Sequence, residues 1–93
     1  MLPLIVLGTR PEIIKFSPII RCLQYQKKKF KLVHTGQHYS QSMSASLFKE
    51  LKLPKPDLTL KLFGRTALTR FGEMVTLLEA YIQRVKPDVV LGL

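Results

Sequence analysis

With 93 residues, 46% of them hydrophobic, the chain has the size of one small domain and enough apolar residues for a core, which excludes a disordered polypeptide. The formal net charge of +9 directs attention to anionic partners: nucleic acid, nucleotides or phosphorylated small molecules. No run approaches the ~20 continuous apolar residues of a membrane helix. The opening Met1-Leu2-Pro3-Leu4-Ile5 lacks the basic start of a secretory leader, so the expected location is the cytoplasm.

Leu2 to Leu7 reads as a buried strand that breaks at Gly8. A helix start follows at once. Thr9 and Glu12 stand in the Thr-x-x-Glu relation of a capping box, and Pro11 falls in the first turn, where its missing N–H does no harm. Arg10 can add a bidentate fork and Lys15 a point charge. Two readings stand side by side. Backbone donors and the positive end of the helix dipole make such a turn an anion cradle, while a strand, a glycine and a capped helix also form the ordinary first corner of an α/β unit.

The helix is predicted from Pro11 to about Gln26, with Ile13, Phe16, Ile20 and Leu23 on one face. Pro18 inside it removes one hydrogen bond. The single Cys22 cannot close an internal disulfide, in keeping with a reducing compartment, and reads as a small packing residue rather than a nucleophile. Lys27, Lys28, Lys29 and Lys31 form the only cationic run. Only Phe30 interrupts it, so no stacking platform for nucleic acid exists, and a solvated loop is the preferred reading.

Phe30 to Thr35 is the second strand, with His34 as a packed strand histidine. The turn Gly36-Gln37-His38 follows, and Ser40 is placed to cap a helix from Gln41 to Leu51. Leu53-Pro54-Lys55-Pro56-Asp57 breaks that helix, and Leu58 to Leu62 alternates weakly as a short edge strand. Thr66 to Val85 is a long helix with Leu68, Phe71, Val75, Leu78 and Ile82 on its apolar face, ended by Pro87. Val89-Val90-Leu91 then forms a third main parallel strand.

Strand–helix alternation of this kind gives a doubly wound α/β fold, a Rossmann-like parallel sheet with helices on both faces. Ligands of such sheets gather beyond the carboxyl ends of the strands. Gly8-Thr9-Arg10 and Gly36-Gln37-His38 both fall there, so one crevice is expected between them. His38 either donates to a sugar hydroxyl or diphosphate oxygen or simply caps its turn. A sheet of about three main strands leaves an unpaired edge, as expected of part of a larger protein.

The segment Gly8-Thr9-Arg10-Pro11-Glu12-Ile13-Ile14-Lys15-Phe16-Ser17-Pro18-Ile19-Ile20 resembles the N-terminus of the non-hydrolysing UDP-N-acetylglucosamine 2-epimerases. The likeness continues through His34-Thr35-Gly36-Gln37-His38-Tyr39-Ser40, Leu51-Lys52-Leu53-Pro54 and Lys86-Pro87-Asp88-Val89-Val90, and looks most like archaeal members. The resemblance implies a two-domain GT-B fold. Residues 1–93 would be an incomplete N-terminal Rossmann-like domain, with the UDP-binding C-terminal domain absent. It also implies interconversion of UDP-GlcNAc and UDP-ManNAc by elimination and re-addition of UDP, without metal or nicotinamide cofactor. Arg10 and Lys15 match active-site cations of the family. Gly8, Thr9, Gln37 and His38 are carried over as nucleotide-sugar contacts, and in bacterial members the Gln37-His38 turn helps hold a second, regulatory UDP-GlcNAc. Ser40 stands where those members often carry glutamine.

Two departures matter. Gly64 to Gly72 replaces a stretch that usually offers Gln-Thr-Gly to the crevice, and the Gly-Asp-Thr turn expected after Val90 is not present. Glu12 is taken by the cap, and Asp57, Glu73 and Glu79 fall on loops or helix faces, so no carboxylate is set for proton transfer at the sugar. The expectation is a chain inactive by itself, part of a homodimeric enzyme or completed by a C-terminal polypeptide. The alternatives are a small basic module that binds nucleotide-sugars or nucleic acid without chemistry, and a chain that does not fold stably alone.

Overall fold

The computed structural model describes residues 1–36 and 41–92, with the side chains of 41–44 also outside the description. Its elements are β1 (Pro3–Leu7), α1 (Arg10–Tyr25), β2 (Lys31–His34), α2 (Gln41–Glu50), β3 (Leu58–Thr59), α3 (Ala67–Val85) and β4 (Val89–Leu91). The strands form a four-stranded sheet in the order β3-β2-β1-β4, and every pairing is parallel.

Alternation along β1 divides the core between the two faces of the sheet. Ile5 and Leu7 pack with Ile13, Phe16 and Ile20 of α1, Leu32 of β2 and Phe48 of α2. Leu4 packs on the other side with Val33, Leu60 and Tyr81, supported by Met74, Leu78, Ile82 and Val85 of α3. The sheet is thus covered on both faces, as the sequence pattern predicts, and the weakly alternating edge segment is a real strand of two residues.

Pro18 does not end α1. A proline at this position cannot donate to the carbonyl four residues back, that of Ile14. The buried Ser17 hydroxyl donates to that carbonyl at 2.8 Å instead.

Two expectations need correction. Cys22 is exposed rather than packed, because it lies beside the buried Ile13-Phe16-Ile20 stripe and not on it. On α3 the apolar stripe is buried only in its second half: Leu78 and Ile82 join the core, while Leu68, Phe71 and Val75 stay exposed. The end of α3 falls at Val85 as expected, where the C-cap Lys86 takes a left-handed conformation with φ 54°.

Candidate functional site

The register sets Leu7 of β1 beside His34 of β2, and the Thr35 N–H donates to the Leu7 carbonyl at 2.8 Å. Gly8 and Gly36 therefore leave the sheet at the same, carboxyl-terminal edge, on adjacent strands. Gly36 has φ 71°, and a Cβ there would lie 2.5 Å from the Leu60 carbonyl oxygen. Only glycine turns the chain at this point without strain. Gln37 and His38 lie outside the described residues.

At the first turn Thr9 is the extended N-cap of α1. Glu12 reaches back so that one carboxylate oxygen accepts from the Gly8 N–H at 3.0 Å and the Thr9 N–H at 2.9 Å. Two backbone donors of this turn are thus already held by an internal anion. Arg10 and Lys15, both exposed, are the groups left for a ligand. Five residues apart on a helix, they stand about 140° apart around the axis and about 7.5 Å along it. They do not form a single clamp.

Gly36 adjoins a buried histidine. His34 is 4% exposed, and its Nδ1 accepts from the Gly36 N–H at 2.9 Å. Its ring is tilted 49° to that of Phe48, with centroids 5.9 Å apart. Nε2 is buried without a hydrogen-bond partner among the described residues. Burial lowers the His34 pKa below its ordinary 6.5, against a smaller upward pull from Glu12. With Nδ1 accepting, the neutral ring carries its proton on Nε2. His34 borders a cavity of about 740 Å³ with Gly36, Phe48, Leu60, Leu62 and Phe63 in its wall. Neither Arg10 nor Lys15 lines it, so the structure does not merge the two features. The apolar run Leu60-Lys61-Leu62-Phe63 beyond β3 is the sequence signal that could have announced this cavity.

Charge at the site is set by what happens to the carboxylates. The chain has six acidic residues, and four of them accept backbone N–H groups. Glu12 holds the first turn. Asp57 and Asp88 bond the Leu32 and Leu2 N–H groups at the opposite edge of the sheet. Glu73 accepts from the Phe63 N–H at 3.0 Å and from the Gly64 N–H, anchoring the loop before α3. Glu50 and Glu79 are exposed at the end of α2 and on α3. Among the described residues no helix is long and apolar enough to cross a membrane.

Residues 21–93 match the family model described as UDP-N-acetylglucosamine 2-epimerase. A Methanococcus maripaludis UDP-N-acetylglucosamine 2-epimerase is 47% identical over 87 residues, 94% of this chain and 23% of that protein. The Methanocaldococcus jannaschii UDP-N-acetylglucosamine 2-epimerase is 45% identical over 86 residues, 92% of this chain and 24% of that protein. The crystal structure of a Methanocaldococcus jannaschii UDP-GlcNAc 2-epimerase in complex with UDP-GlcNAc and UDP superposes with a TM-score of 0.87 at 44% identity, over 97% of this chain and 25% of that one. The chain therefore spans about a quarter of the length of these relatives.

Proposed function

Because the chain belongs to the UDP-N-acetylglucosamine 2-epimerase family, we propose that its carboxyl-terminal sheet edge binds the diphosphate of a UDP-sugar and supplies part of an epimerase active site. Elimination of UDP from C2-inverting chemistry builds negative charge on the departing diphosphate. Cations held beside it stabilise that charge most in the transition state. Arg10 and Lys15 are assigned this role, with Gly8 and Thr9 shaping the first turn and Gln37 and His38 bringing sugar or phosphate contacts from the second. The route needs no metal or nicotinamide. The cytoplasm, where nucleotide-sugars are available, is the assigned location, and the full-length enzyme is assigned as a homodimer.

By itself the chain is assigned binding without turnover, and a polypeptide corresponding to the rest of the relatives' length would be needed to complete the site. The observation that supports this reading is the engagement of Glu12, Asp57, Glu73 and Asp88 by backbone N–H groups. Proton removal and return at C2 require a positioned group on each face of the sugar, and these carboxylates are committed elsewhere.

Calorimetric titration with UDP and with UMP tests it. Binding that depends on the diphosphate and is lost in Arg10→Ala supports the assignment. Oligonucleotide binding with a steep salt slope, and none to UDP, would instead identify a basic nucleic-acid module. Incubation of the chain alone with UDP-GlcNAc, followed by proton NMR, should leave the substrate unchanged; appearance of UDP-ManNAc would overturn the assignment of binding without turnover.

A further inference from the structure

In a parallel sheet every helix-to-strand connection emerges at the amino-terminal edge, and here each of the three carries lysine. Lys27, Lys28 and Lys29 lie between α1 and β2, and Lys31 opens β2. Lys52 and Lys55 lie between α2 and β3, and Lys86 joins α3 to β4. Seven of the fifteen Lys and Arg residues thus gather at the edge opposite Gly8 and Gly36, all of them exposed except the half-buried Lys31. The carboxylates of the same edge are Glu50, at the end of α2, and Asp57 and Asp88, which already accept backbone N–H groups.

Helix ends explain only part of this. Lys27, Lys52 and Lys86 take left-handed conformations next to the carboxyl ends of α1, α2 and α3, where the negative end of each dipole favours a cation. That pull fades within a turn, and Lys29, Lys31 and Lys55 stand on the strand side of their connections. The order β3-β2-β1-β4 spreads the three connections over three strand spacings, about 14 Å. The Debye length is about 8–10 Å at ordinary salt, so a surface laid against this edge meets the lysines as one field. Tyr25 narrows the choice of surface. It is the last residue of α1 and is 89% exposed at the same edge. An amphipathic ring suits the level of lipid headgroups. Nucleic acid would call for a row of rings to stack bases and for the planar fork of arginine, whereas these cations are all lysine point charges.

We infer that the amino-terminal edge of the sheet docks on an anionic lipid surface, with Tyr25 at the headgroup level. No single anion is held; the lysines act together, as a polybasic cluster does. The carboxyl-terminal edge then faces away from the lipid and stays open to solution. The inference stands apart from the UDP-sugar assignment, since it uses none of the residues placed at that opposite edge.

Co-sedimentation of the full chain with vesicles tests this. Equimolar phosphatidylserine and phosphatidylcholine should bind it and pure phosphatidylcholine should not, and binding should vanish between about 0.1 M and about 1 M salt. A lysine close to an anionic surface contributes about fivefold to partitioning. Lys29→Gln with Lys55→Gln, both exposed and outside the left-handed caps, should therefore weaken binding about twentyfold while circular dichroism shows the fold retained. Lys61→Gln with Arg65→Gln removes the same charge from the segment between β3 and α3 and should change binding little. The chain has no tryptophan, so Tyr25→Trp supplies a single reporter whose emission should shift to the blue on the mixed vesicles. No binding to the mixed vesicles, equal binding to pure phosphatidylcholine, equal losses in the two pairs or an unmoved emission each overturn the inference. Oligonucleotide binding that the Lys29–Lys55 pair abolishes, without vesicle binding, would make this edge a nucleic-acid surface instead. UDP titration of the same pair should match the unaltered chain, which keeps the two assignments separable.

Discussion

Asp57 and Leu32 exchange two hydrogen bonds across the edge of the sheet. The Asp57 N–H donates to the Leu32 carbonyl at 2.8 Å, and the Leu32 N–H donates to Asp57 Oδ2 at 2.7 Å. Asp88 and Leu2 repeat the arrangement, with the Asp88 N–H donating to the Leu2 carbonyl at 2.9 Å and its carboxylate accepting the Leu2 N–H. Each aspartate follows a Lys-Pro pair, Lys55-Pro56 and Lys86-Pro87. A proline cannot donate to a ladder, so the aspartate is the first residue of the incoming strand able to do so. Its side chain then takes up the neighbour's N–H. The same device fastens β3 and β4 at the edge opposite the candidate site, which is why these two carboxylates are structural.

Removing either carboxylate should cost stability without touching ligand binding. Hydrogen bonds to charged groups contribute about 1.5–3 kcal/mol, and both aspartates are exposed, so Asp57→Ala and Asp88→Ala are expected to cost about 1–2 kcal/mol each. Asparagine keeps an acceptor and should cost less. Urea denaturation checks this, and alanine variants as stable as the unaltered chain would reduce these bonds to passive contacts.

Ser17 and Pro18 should be coupled. In the unaltered chain, Ser17→Ala strips the Ile14 carbonyl of its hydroxyl partner and is expected to cost about 1 kcal/mol. In a Pro18→Ala background the backbone N–H of residue 18 becomes available to that carbonyl, and the same substitution should cost little. Thermal or urea melts of the four proteins close the cycle; equal costs in both backgrounds would refute the pairing.

Much of the fold was legible because β1, α1 and β2 obey simple periodicities. Buried Ile13, Phe16 and Ile20 fall where a 3.6-residue repeat puts them, and the Thr9–Glu12 relation gave the start of α1. The helix ends were less legible. Lys27, Lys52 and Lys86 occupy left-handed conformations with φ of 56°, 57° and 54° at positions where glycine is the usual signal. The cationic run after α1 conceals such a turn: the Lys28 N–H donates to the Leu23 carbonyl at 2.9 Å and the Lys27 N–H to the Gln24 carbonyl at 3.0 Å. That is backbone capping rather than an anion site. The stripe on α3 misled for another reason. Periodicity shows which residues share a face, but Leu68, Phe71 and Val75 share theirs beyond the part that packs on the sheet. At the candidate site, the first turn was legible from Gly8 to Lys15, while its occupation by the Glu12 carboxylate against two N–H groups depends on a side-chain geometry that spacing does not fix.

The His34 environment predicts a pH dependence of stability. Burial, opposed by the weaker pull of Glu12, lowers its folded-state pKa below the ordinary 6.5. The unfolded chain therefore takes up this proton more readily than the folded one. Stability linked to His34 is complete above pH 6.5 and declines as pH falls below it toward the folded-state pKa. His34→Asn retains an acceptor for the Gly36 N–H but does not titrate in this range. Urea midpoints between pH 7.5 and about 5.5 should fall less steeply for the variant, and parallel curves would show that the ring pays no penalty for protonation.

Glu12 offers the sharpest separation of cap from ligand site. Its carboxylate supports the helix start through the Gly8 and Thr9 N–H groups. Glu12→Ala should lose about 1 kcal/mol of stability, the usual size of a capping interaction. It should also free two backbone donors and remove a competing anion, so UDP and inorganic phosphate should bind severalfold more tightly. Glu12→Gln, which can still accept both N–H groups through its amide oxygen, should lose less stability and gain less affinity. Calorimetric titration beside thermal melts reads both effects on the same samples. If Glu12→Ala loses stability and affinity together, the carboxylate serves the ligand by holding the turn in shape, and the picture of an internal anion competing with phosphate at this helix end is wrong.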